Sequence, residues 1–323
     1  MSQATTDDIL LQKLFDGDPA VRRLAVLQLE DVAGPAHVEG LIHALTDFDP
    51  TVRRMSVLLL EEIGNAEALP GILELTADDV REVREVAIES LRSFRTPESV
   101  SYFITGTAHT NPIVRAAALN GLRELKDPRA LASVTTALRD VNSDVRREAV
   151  LTLGHYKLSA SLPSLFGALR DTDANVRRFA IGAAAGFVDA RLIPEFIKLL
   201  GDADWQVRRE ASAALSHFPH PDSVAALLQS LRDPYWQIAK EAAASLGVLK
   251  AQKSVPALIG LLKRPEADIR RAAVQALALI GAVDVLPHLK KLAADPDVEV
   301  RKAADRAINS IEKTQDVLPG GGI

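Results

Sequence analysis

The sequence predicts an all-α protein, a right-handed α-solenoid of about ten two-helix repeats, each roughly 31 residues long, on three observations. A valine or isoleucine returns at one fixed interval, ten times in register: Val21, Val52, Val83, Val114, Val145, Val176, Val207, Ile238, Ile269 and Val300. Ahead of these anchors apolar residues recur at −14, −11, −10 and −7, and behind them alanine holds +4 in nine repeats. Both patterns mark one face of a helix. A unit this small cannot bury its own apolar side and is stabilised by stacking on its neighbours.

Within a repeat, the first helix (A) is carried by the −14 to −7 columns, as in Leu162, Leu165, Phe166 and Leu169 or Val224, Leu227, Leu228 and Leu231. Proline stands at −13 in five repeats (Pro70, Pro163, Pro194, Pro256, Pro287), which suits a first helical turn, where the missing N–H costs nothing. Asp, Asn or Glu holds −3 in eight repeats (Asp18, Asp49, Asn111, Asn142, Asp173, Asp204, Glu266, Asp297) and is expected to cap the second helix (B) through its free N–H groups. Helix B then carries the anchor, the alanine at +4 and mostly leucine at +8, so the layers pack closely. Arginine fills +1 in nine repeats and Asp fills −5 in eight. The arginine column has two readings, a phosphate-binding ladder or a structural bridge to the aspartates of its own or an adjacent repeat. Bidentate Arg–carboxylate geometry favours the bridge.

The array is expected to form a single domain over residues 1–312, with Thr6 capping a helix that enters at Asp7. Lys290 and Asp305 place polar residues in core columns, the mark of a terminal cap. Leu24 and Leu27 leave the first repeat less polar. The tail 313–323, with Pro319, Gly320, Gly321 and Gly322, is expected to be disordered.

Hydrophobic residues make up 47% of the chain and aromatics only 4%, as thin helical layers require. There is no cysteine, which removes disulfides, thiolate metal sites and a cysteine nucleophile. The opening MSQATTDDILLQKL has no basic segment followed by an apolar core. The longest apolar run, Phe179 to Val188, falls short of the roughly 20 residues a membrane span needs. A cytoplasmic location is the resulting expectation. The net charge of −5 argues against a general polyanion binder.

Repeats six to eight depart from the pattern. Tyr235 replaces the −3 cap and Ala239 the +1 arginine, with Trp236 between them. Trp205 stands one full repeat before Trp236, so the two tryptophans are expected side by side on one loop edge. Column +6, expected on the concave side, is small only at Gly182, Ala213 and Ala244, and +9 repeats this with Ala185, Ser216 and Gly247. Arg178, Arg209 and Lys240 at +2 stand beside that floor. The expected partner-binding groove therefore has a shallow floor (Gly182, Ala213, Ala244), a cationic margin (Arg178, Arg209, Lys240) and an aromatic lip (Trp205, Tyr235, Trp236). Tightened local packing is the competing explanation for the small residues, and coverage of each layer's end the one for the tryptophans.

The pattern D-x-D-x-x-V-R-R-x-A-x-x-x-L, as in Asp171 to Ala184 (with Ala last) and Asp202 to Leu215, resembles HEAT repeats, most closely the short bacterial repeats of phycobilin lyases. The resemblance covers residues 7 to about 312 and implies protein binding and scaffolding more often than any one chemistry. A non-enzymatic scaffold, adaptor or regulatory subunit that binds a partner protein through its concave face is the expected function. A phycobilin lyase-like or tetrapyrrole-handling chaperone subunit is the alternative. Deoxyhypusine hydroxylases, built on similar repeats, hold iron with His-Glu pairs, a dipeptide missing here. HEAT-like DNA glycosylases use a basic concave face, which an acidic chain does not suggest. No G-x-x-x-x-G-K-[ST], G-x-G-x-x-G or G-x-S-x-G motif occurs. His217 and His220 lie in a turn with only Asp222 near, a weak ligand set, so no metal or cofactor is expected.

Overall fold

A computed structural model describes residues 9–317, with side chains to residue 313. All regular secondary structure among the described residues is helical. Packing divides the chain between Ser164 and Leu165 into two compact units. Each unit is an α-solenoid in which A helices form one layer and B helices the other.

In the first unit the B helices are Pro19–Leu29, Pro50–Ile63, Arg81–Ser90, Pro112–Leu125 and Ser143–Tyr156. In the second they are Ala174–Ala185, Trp205–Ala214, Trp236–Val248, Ala267–Ile280 and Val298–Val317. Shorter A helices such as Leu69–Leu75 and Val255–Leu261 follow a single 3₁₀ turn, with proline in the first turn. The sequence columns explain why each segment folds as it does. Asp49, Asn142, Asp173, Asp204 and Asp297 accept hydrogen bonds from the first free N–H groups of their B helices. Gly64 and Gly281 end B helices in the left-handed region, at φ 71° and 73°, where glycine meets no Cβ penalty. The +4 column is fully buried in every repeat, from Ala25 to Ala304 with Ser56 in place. Each anchor from Val52 to Val300 is buried as well, while Val21 is half-exposed. Glu266 differs from the Asp and Asn residues at −3: its carboxylate binds Arg264 and leaves its helix without a side-chain cap.

The arginine column is structural. Arg22, Arg53, Arg115, Arg177, Arg208 and Arg270 each donate through Nε and Nη2 to both carboxylate oxygens of the −5 aspartate one repeat on: Asp47, Asp78, Asp140, Asp202, Asp233 and Asp295. The Nη1 of the same arginine binds two carbonyls of its own loop, as Arg177 does at Asp171 and Thr172. Each −5 aspartate also accepts the N–H of its −3 residue, as Asp202 does from Asp204. One guanidinium thus ties the loop of its own repeat to the loop of the next. Burial pushes the Asp202 carboxyl up, but the Arg177 hydrogen bonds and the Asp204 N–H outweigh it and hold it below the ordinary carboxylate range. The same balance lowers Asp47, Asp78 and Asp140.

At the C-terminal end Lys290 and Asp305 face solvent, and Lys290 pairs with Glu312 at 3.3 Å. The last helix continues to Val317, through residues expected in the tail. Residues 318–323 and the Thr6 cap lie outside the described residues. Leu24 and Leu27 on the first B helix are exposed. Among the described residues no helix is long and apolar enough to cross a membrane.

Candidate binding surface

Trp205 and Trp236 each begin a B helix and are half-buried. The ring that lies against Trp205 belongs to Tyr235, with centroids 5.9 Å apart and planes 1° from parallel. The side-by-side tryptophan contact expected from their shared column is thus replaced by an offset Trp–Tyr stack. Tyr235, where other repeats carry the cap, keeps 46% of its surface exposed. The backbone remains fixed because Asp233 accepts the Tyr235 N–H at 2.8 Å. Arg208 packs its guanidinium 5.3 Å from the Tyr235 centroid while paired with Asp233. Arg209 lies 5.9 Å from the Trp205 ring and Lys240 lies 5.8 Å from Trp236. Three cations and three aromatic rings therefore form one ledge at the B-helix N-termini, each cation over a ring.

Gly182 and Ala244 are exposed and Ala213 is half-exposed, so +6 does face out of the B-helix layer. At +9, by contrast, Ala185 and Gly247 are buried, and Ser216 is half-exposed. A Cβ on Gly247 would stand 2.6 Å from the Ala276 Cα, which makes this glycine a point of close helix approach rather than groove floor. The margin is of mixed charge. Arg178, Arg209 and Lys240 are interleaved with Glu210 and Glu241, and a Glu210 carboxylate oxygen lies 3.6 Å from where a Gly182 Cβ would be. Burial pushes the Glu241 carboxyl up; Arg209 opposes this, Glu210 adds to it and Lys240 opposes it. Arg178 stacks over Phe179 at 4.6 Å, and its Nε is buried without a hydrogen-bond partner. His220 caps the helix Pro221–Ser230 by accepting the Asp222 N–H.

The model for HEAT repeats matches residues 8–92, 100–178, 162–247 and 224–309. The chain belongs to the HEAT-repeat family. No functionally curated protein matches it. Among solved structures, an engineered protein is 21% identical over 95% of this chain and 98% of its own, with a TM-score of 0.53. YibA of E. coli is 21% identical over 80% of this chain and 95% of its own, at 0.63. Importin beta is 15% identical over 95% of this chain, at 0.61, and this chain spans 50% of its length. At these identities the likeness is one of fold.

Two junctions between HEAT repeats depart from the Arg–Asp pattern in a way the +1 column alone does not show. Ala239 replaces an arginine whose partner in the next repeat would be Arg264, not aspartate. Both members of the pair have changed together, and Arg264 binds Glu266 instead. The helices Trp236–Val248 and Ala267–Ile280 pack directly, with Gly247 close against Ala276, and Ala239 and Ala243 are buried. Ala239 is fully buried and adds nothing to the binding ledge. At the other junction Arg84 faces position 109, where His109 stands in the aspartate column. Comparing +1 with the following −5 residue is the sequence signal for both.

Proposed function

We propose that this HEAT-repeat chain is a non-enzymatic protein-binding scaffold or regulatory subunit that engages its partner through the B-helix face of repeats six to eight, the face the sequence places on the concave side. The observation that carries this reading is the ledge of Trp205, Tyr235 and Trp236 with Arg208, Arg209 and Lys240. Tryptophan, tyrosine and arginine are the side chains most enriched where binding energy concentrates. One structural neighbour, Kap95p, was solved bound to RanGDP, and that use of a similar fold supports protein binding as the class of activity.

The test is to compare the wild-type chain with a Trp205→Ala, Tyr235→Ala double variant as bait, then measure affinity and melting for any recovered partner. The expected loss is about 2–4 kcal/mol of binding, with the folded structure retained. A variant that binds as wild type does, or melts early while its folded fraction binds normally, refutes the ledge. A linear tetrapyrrole forms the second arm: a shifted absorption spectrum on mixing would replace this reading with the lyase-like one.

A further inference from the structure

The helices Arg81–Ser90 and Pro112–Leu125 are successive B helices of the first unit that barely touch, whereas the pairs on either side, with Pro50–Ile63 and with Ser143–Tyr156, pack directly. Two features coincide at this junction. The aspartate column opposite Arg84 holds His109, whose ring is engaged with Glu74 (Nε2 to Oε1, 2.7 Å) and the Asn111 N–H; among the described residues Arg84 donates to the carbonyls of Asp78 and Asp79. The repeat-three helix also stops after 10 residues, against 14 for Pro50–Ile63 and Pro112–Leu125.

The gap is a pocket of about 220 Å³ with a predominantly apolar wall that includes Ile88, Leu91, Phe94, Ile113 and Ala117. Ile88 and Ile113 are 48% and 51% exposed, large apolar side chains flanking an unfilled space. The Arg–Lys column at +2 is interrupted here by Glu85 and Ala116, so no basic +2 side chain from repeats three or four covers the opening.

The rim adds charge. On one side Arg92 shares an exposed pair with Glu89, and Arg95 donates only its Nε, to the Arg92 carbonyl at 2.8 Å. Arg95 has no carboxylate partner among the described residues. On the other side Glu148 is engaged by Arg123 and Arg147 at 3.3 and 3.2 Å. Among the described residues Arg95 is therefore the lining guanidinium without a carboxylate, beside an apolar hole. The volume is below the roughly 300–1,000 Å³ of small-molecule and cofactor sites and suits a single side chain.

We propose that this pocket docks a peptide segment of a partner protein, taking one leucine- or phenylalanine-sized side chain between Ile88 and Ile113 while a neighbouring carboxylate of the same segment pairs with Arg95. The proposal shares protein binding with the function given above but places it on a different unit, so the two can fail separately.

A displayed library of random twelve-residue peptides, selected on the full-length chain, tests it. Selected peptides are expected to share a bulky apolar residue close to Asp or Glu, and to lose at least fivefold in affinity when that acid becomes lysine. Ala117→Phe fills the hole and should weaken them at least tenfold; Arg95→Glu should do so about fivefold. Ile88→Ser, at a half-exposed site, repeats the test should Ala117→Phe impair folding. Trp205→Ala should leave these affinities within twofold. The proposal is overturned if no apolar–acidic family emerges, or if it emerges and binds the Ala117→Phe and Ile88→Ser variants as it binds wild type. Peptides sensitive only to Trp205→Ala would overturn the pocket while supporting the ledge.

Discussion

Arg270→Ala removes the most enclosed of the six Arg–Asp ties described above. The Arg270 and Asp295 side chains retain 9% and 5% exposure, and their two hydrogen bonds measure 2.8 and 2.7 Å. Nη1 of Arg270 makes two more, each 2.8 Å, to the carbonyls of Arg264 and Pro265. Truncation leaves the Asp295 carboxylate buried with the Asp297 N–H as its remaining side-chain hydrogen bond, at 2.9 Å. Breaking a buried pair from one side costs about 3–5 kcal/mol; the retained N–H and the position at the loop edge favour the lower end. At about 2–4 °C per kcal/mol for a body of this size, melting should fall by about 6–12 °C. The full cycle of Arg270→Ala, Asp295→Ala and the double variant, followed by circular dichroism in heat and urea, should yield a coupling of about 1–3 kcal/mol. The exposed Arg81–Glu85 pair is the reference, and Arg81→Ala should leave melting unchanged. A coupling under about 0.5 kcal/mol, the size at which independent sites already scatter, or an Arg270→Ala melt no lower than that of Arg81→Ala, would refute the view that these ties hold the layers.

The same pairs predict an acid response. Asp295, lowered chiefly by its Arg270 hydrogen bonds, and Asp47, Asp78, Asp140 and Asp202 sit below their unfolded values, so their stabilisation is present above about pH 4 and is lost as pH falls through the folded values. Melting should be flat between about pH 7 and 5 and drop below about pH 4, with a shallower drop in Arg270→Ala. Gly247→Ala should cost about 1–3 kcal/mol because its Cβ would meet the Ala276 backbone at 2.6 Å; Gly260→Ala, with nothing within 4 Å, should be neutral or stabilise by up to about 1 kcal/mol, and equal effects at the two sites would contradict the packing described. Ala239→Arg should destabilise by setting a second guanidinium against Arg264, and adding Arg264→Asp should recover part of the loss; a double variant no better than the single one would refute the pairing rule.

Columns that act once per repeat were legible in the sequence, because burial or charge at one position recurs in every layer. The +4 alanines and the anchors beyond Val21 are buried as read, and the arginine column proved structural. What escaped was relational. Column +9 shares small residues with +6, yet Gly247 is pressed against the next helix while Gly182 faces outward; residue size alone does not carry that direction. Trp205 shares its column with Trp236, but the ring one residue before Trp236 is the one that reaches it. The charge of the margin was read from +2 without the glutamates at +3. The pocket between Arg81–Ser90 and Pro112–Leu125 lies at a junction where a +1 arginine meets histidine in the next repeat, a pairing no single column displays.

The Arg-to-Asp register also governs which modules could follow one another. Arg53 finds Asp78 as Arg177 finds Asp202, so a shuffled or shortened array cut in whole repeats would remain charge-matched at such joints. The joint between repeats eight and nine is different: placed after any arginine-bearing module, repeat nine would set Arg264 against a second guanidinium. Ala239 and Arg264 are thus complementary ends of one seam, and recombination that preserves stability must carry those two modules together.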